Sequence, residues 1–378
     1  MTINKKQSGF MIFVVFVILS SIAISLLLPT SLRHLQLQQQ SRIQSRLAAA
    51  RSAALDYIGG GIVKEGFSAP GDPIRPDTLY FHGMDGEPDN VDHSGSIIPW
   101  TALCPISPRY IEYCIGQFPW KFLGLASPAT LPNDPLGEAI WYAVPSKLIS
   151  SNSHTAADLQ RYADNDQLLT LTKQDGSEVR EIVAIFAWAG ASLSHQNRQH
   201  ALNNLNQPQL HHLATQYLEM PVYDTGRHLS LENTEATPRN DEASWLVRDD
   251  VATVLSRRIA RELTISWQTF DQPALSSPCS VEPFTLPDGQ IQTKHAPDGT
   301  LPEDRDQFIR RAKEWARCHS PDRTWLSSWA DSIAQYARLS STQAIFQFSG
   351  CEGLRFTWTQ DQQSVQLSEE GHSCISTP

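Results

Sequence analysis

Residues 1–29 read MTINKKQSGFMIFVVFVILSSIAISLLLP, and the meaning given to this stretch decides how the rest of the chain is read. The first nine residues are polar and carry Lys5 and Lys6. From Phe10 to Leu28 no residue is charged, and the polar members are Ser20, Ser21 and Ser25. These 19 residues, at about 1.5 Å rise each, are just long enough to cross a hydrocarbon core, so a transmembrane helix is expected over 10–28. The lysines before it place the N-terminus on the cytoplasmic side. The run exceeds the usual secretory h-region of about 7–15 residues, and its end, SerLeuLeuLeuPro, is a poor signal-peptidase site.

Beyond Pro29 the pattern becomes that of a second kind of helix. From Ser31 to Ile58 the apolar residues Leu32, Leu35, Ile43, Leu47, Ala50, Ala54 and Ile58 recur at helical spacing. Gln36, Gln38, Gln39, Gln40, Arg42, Gln44, Arg46 and Arg51 lie between them. Pro29 is expected to kink the rod, and Gly59, Gly60 and Gly61 to stop it.

A lysine-bearing leader, a glycine, a phenylalanine, an apolar helix and then an amphipathic one resemble the type IV pilin and type II secretion pseudopilin family. The residues that carry the resemblance are Lys5, Lys6, Gln7, Ser8, Gly9 and Phe10. It implies that a prepilin peptidase cuts between Gly9 and Phe10 and that Phe10 is then methylated. Loss of the leader would take the formal charge from −10 to −12, because Lys5 and Lys6 leave with it. The family usually carries glutamate at the fifth mature position, where this chain has Val14. Its K-type minor pseudopilin, at the filament tip, also lacks that carboxylate and also has a large head. The departure therefore implies a minor or tip position. A second resemblance, to large prepilin-like proteins of Gram-negative bacteria, covers roughly residues 1–265. It rests on ALCP at 102–105, FPWKFLGL at 118–125, GEAIWYAV at 137–144 and YLE at 217–219.

The head reads as a mixture of strands and helices. Residues 66–100 are rich in Gly, Pro and Asp and read as connection. Strands are expected over 138–144, 167–172 and 178–188, the last two joined through Asp175–Gly176 as a hairpin. A helix is expected near 155–163 and another from Asp249 or Asp250 to Trp267, capped by that acidic pair. In the C-terminal third, helices are expected near 304–318 and 322–338. The second would bury Trp325, Trp329, Ile333 and Tyr336. Strands are expected near 343–349, 353–359 and 364–368, with Phe346, Phe348, Phe356 and Trp358 as core aromatics.

The six cysteines are Cys104, Cys114, Cys279, Cys318, Cys351 and Cys374, all well after the apolar segment and none in a CxxC pair. Disulfides in an oxidising compartment are expected, and six cysteines allow 15 pairings. Pairing of sequence neighbours would give Cys104–Cys114, Cys279–Cys318 and Cys351–Cys374.

Chemistry finds little footing. There is no GxSxG elbow, no GxxxxGK[ST] loop and no GxGxxG. His195, His200, His211 and His212 lie in a polar stretch without HExxH spacing. Asp85, Glu87, Asp89 and Asp92 do not follow an EF-hand loop. No metal site, no cofactor and no enzymatic activity are expected. The net charge of −10 argues against a sequence-independent nucleic-acid partner, and 40% hydrophobic content fits a globular head.

The expected fold class is α+β. A long N-terminal helix, transmembrane and then amphipathic, carries a disulfide-stabilised head of mixed antiparallel sheet and helices. The segments are a leader (1–9), a membrane and filament helix (10–28, from Phe10 through Val14 to Leu28), a stalk (29–61, opening at Pro29), a head (62–270) and a C-terminal subdomain (271–378). The expected location is the Gram-negative inner membrane with the head in the periplasm, or the cell surface after assembly. The expected partners are that membrane, the prepilin peptidase and other pilin or pseudopilin subunits. The alternatives are a membrane-anchored periplasmic enzyme or binding module, and a pilus-tip adhesin.

Overall fold

The computed structural model describes residues 5–60, 113–127, 137–145, 148, 168–190, 192, 193, 196, 198, 217, 218, 228–231, 241–270, 284, 285, 291, 292, 301–319, 330–361 and 365–374. The chain divides into two units, Met1–Ala49 and Ala50–Pro378. One helix, α1 (Lys5–Gly60), begins in the first and ends in the second.

The second unit holds two sheets. The larger contains β1 (Tyr113–Gln117), β2 (Ile140–Pro145), β3 (Leu169–Thr172), β4 (Glu178–Trp188), β5 (His228–Ser230) and β6 (Glu242–Val247). Its strand order is β1-β2-β4-β3-β5, with β6 also on β4. All pairs are antiparallel except β3 with β5. The centre is β4. Its first half pairs with β3, and its second half lies between β2 and β6. Residues Ile182 to Ala187 are all buried, as a strand covered on both faces requires, and they form the continuous apolar run IVAIFA.

Alternation along the strands sends two sets of side chains to opposite faces. Tyr113, Ile115, Trp141, Ala143, Ile185 and Ala187 belong to one core, joined by Tyr217 and Leu229. On the other face Tyr142 and Phe186 stand opposite each other in register, with ring centroids 5.2 Å apart. Phe118 meets both edge-on, at 5.4 Å from each.

The hairpin expected at Asp175–Gly176 joins β3 to β4. Gly176 takes φ +77°, a region that costs glycine nothing. Asp175 Oδ1 accepts from both the amide and the hydroxyl of Ser177, which holds its carboxyl below the ordinary range. Within β4 the register slips, and Glu181 takes φ +60°. Its carboxylate meets Arg248 at 3.1 Å.

The smaller sheet contains β9 (Ile333–Arg338), β10 (Gln343–Phe348), β11 (Arg355–Gln360) and β12 (Val365–Glu370), in order β12-β11-β10-β9 and antiparallel throughout. A two-stranded ribbon, β7 (Phe284–Thr285) with β8 (Ile291–Gln292), lies between the sheets in sequence. The helices of this unit are α2 (Arg248–Phe270) and α3 (Arg305–His319). The inner face of the smaller sheet is aromatic: Phe346 stacks on Phe356, and Trp358 lies 5.2 Å from Phe346. Phe308 of α3 closes the cluster, 5.0 Å from Trp358 and 4.9 Å from Tyr336.

Helix α2 serves both sheets. It packs on β4 and β6 of the larger one and on β12 of the smaller. Thr253, Arg257, Ala260 and Thr264, at spacings of four, three and four, form the face toward the smaller sheet. Thr253 Oγ1 accepts from the Cys374 amide, and Arg257 pairs with Glu369. Trp358 Nε1 donates to Thr264 Oγ1 at 2.8 Å, while that hydroxyl donates to Ala260 O. Trp358 thus buries its ring without leaving its one polar atom unmet. The Cys351–Cys374 disulfide fastens the end of β12 to the turn after β10.

Two expectations are corrected. Among the described residues no helix is long and apolar enough to cross a membrane, so the transmembrane part of the expected fold class is not found. Of residues 10–28 the side chains of Phe16 and Val17 alone are among the described ones, and the rest of the described side chains of α1 lie further along it. From His34 onward they include a run of glutamines with Arg42, Arg46 and Arg51, which hydrocarbon would strip of hydrogen bonds. The helix expected near 322–338 is corrected over its last part, because residues 333–338 are strand β9, while 322–329 lie outside the described residues. An irregularity pairs Gln335 with Gln347 but Ile333 with Phe348, which leaves Ala334 as the extra residue. Ile333 and Tyr336 consequently face the same side at a spacing of three, which imitates a helix in the sequence. The helix expected near 155–163 lies outside the described residues.

Two outcomes are expected. Glu181→Val places a β-branched residue at φ +60° and removes the partner of Arg248. It should cost about 1–3 kcal/mol by urea denaturation, with Glu181→Gly milder. Replacing both Cys351 and Cys374 by Ser opens a loop of 23 residues and should cost roughly 3 kcal/mol. An unchanged midpoint for the double variant would mean that the packing of Trp358 and Phe308 suffices.

Candidate assembly helix and its seat

Helix α1 contains every processing and helix residue singled out in the sequence: Gly9, Phe10, Val14, Leu28 and Pro29. Its helical backbone is continuous through Pro29. The side chains of these five lie outside the described residues.

Where side chains are described, the expected apolar stripe divides in two. Ile43, Leu47, Ala50, Ala54 and Ile58 are buried, at spacings of four, three, four and four, the pattern of one helix face. Tyr57 is buried beside them and was not expected. Leu35 was expected in the stripe but is 59% exposed. Leu37 is 64% exposed and Phe16 68%, with Val17 also open. Among the described side chains of α1, Phe16, Val17, Leu35 and Leu37 are therefore open, and the stripe from Ile43 to Ile58 is packed.

The seat of α1, from Ala50 onward, is built against α2. Asp250 stands at the third position of α2, and its Oδ2 accepts from the Val247 amide just before the helix. This is the reach-back half of a capping box, made by Asp250 of the expected acidic pair. The same oxygen accepts from Arg51 Nη2 at 2.7 Å, while Arg51 Nε donates to the carbonyl of Trp245 at 2.8 Å. Arg51 reads in sequence as one of the polar residues of an exposed face. Its partners are 194 and 199 positions away, beyond any local signal. Both side chains are about one-third exposed, so the pair fixes geometry more than it adds stability.

Helix α1 ends at Gly60, within the glycine run expected to stop it, and Gly59 has a second role. It lies inside α1, and a Cβ there would collide with the Val254 side chain of α2. The glycine lets the two helices approach closely. Two positions earlier in α1, Tyr57 meets Phe122 edge-on at 5.8 Å.

Of the cysteines, Cys351 and Cys374 form the pair expected of them, and Cys114 in β1 is also disulfide-bonded. Cys104 and Cys279 lie outside the described residues, as does the side chain of Cys318. The four histidines from His195 to His212 and the acidic residues at 85–92 are outside them too. Among the described residues no three His, Cys, Asp or Glu side chains stand together as a metal site.

Gly59→Val should disturb this seat most. The added branches meet Val254 at the helix contact, and overpacking of this kind costs about 1–3 kcal/mol. A thermal melt reads the loss, and combining it with Val254→Ala should recover part of it. No recovery would mean that Gly59 is needed for backbone freedom rather than for room. No family model, no curated protein and no solved structure matches the chain.

Proposed function

We propose that the chain is a prepilin-like subunit of a type IV pilus or type II secretion pseudopilus. A prepilin peptidase at the inner membrane cuts it between Gly9 and Phe10, Phe10 is methylated, and α1 joins it to other subunits. The head faces the oxidising periplasm, where its disulfides form, and the chain acts by assembly rather than by catalysis.

The observation that supports this most is the division of α1. One helix carries the Gly9–Phe10 junction and outward-facing Phe16, Val17, Leu35 and Leu37, then ends packed against α2. Large apolar side chains left open along a helix are costly in water and suit a surface that other helices cover. Val14 in place of an acidic residue favours a minor or tip position over a shaft position. There the amine of a neighbouring subunit needs no partner carboxylate from this chain.

The test is the intact mass and N-terminal sequence of the protein extracted from cells. A chain beginning at methylated Phe10 is expected from the wild type, and the full-length precursor from Gly9→Ala. If wild type and variant both keep residues 1–9, the reading fails.

A further inference from the structure

We draw no further inference here: the strongest candidate, the buried side-chain pair of Gln117 on β1 and Trp141 on β2, whose Oε1 and Nε1 have no hydrogen-bond partner among the described residues, selects no ligand, because the acceptor and the donor stand on cross-strand neighbours of one sheet face and can serve each other.

Discussion

Each sheet of the head has an apolar face that must be covered, and α2 supplies cover to both. A sheet with one bare face does not persist in water, because the apolar area left open outweighs what its ladder contributes. Here one helix of 23 residues carries contacts on several sides. One row of residues meets the smaller sheet through Thr253, Arg257 and Thr264. Its N-terminus is bound to α1 through Asp250 and Arg51, and to β4 through Arg248 and Glu181. The tilt of α2 therefore fixes where the two sheets and the end of α1 lie within this unit.

The position of Glu181 answers that demand. A regular β4 would keep one register along all of its 11 residues. The slip at Glu181 lets β4 change partners from β3 to β2 and β6, and the φ of +60° is the local strain that accompanies it. Arg248, at the start of α2, holds the side chain of the strained residue. Strain and ion pair thus lie on the connection between the hub strand and the hub helix.

Much of this was legible in the sequence where a single local rule decides. The hairpin at Asp175–Gly176 needs a positive φ that glycine supplies, and it is there. The continuous apolar run of β4 and the acidic start of α2 are equally direct. The strands over 343–348, 355–360 and 365–370 arise from their alternating aromatics and apolar residues. The misreadings have identifiable causes. The irregular pairing of β9 imitated a helical spacing. The glycine run marks the end of α1, but the contact of Gly59 with Val254, far along the chain on another helix, was not legible. The partners of Arg51 are as distant.

The way the chain's last described strand is fastened has a consequence for how the head comes into being. Glu369 and Cys374 bond to Arg257 and Thr253, 112 and 121 positions earlier. Helix α2 can form as soon as it is made, but the face carrying Thr253, Arg257 and Thr264 waits for partners that arrive about a hundred residues later. Pairings so distant in sequence close slowly, and until they close the waiting face is open to association with the wrong surface. The interval lasts until Cys374 has reached Cys351.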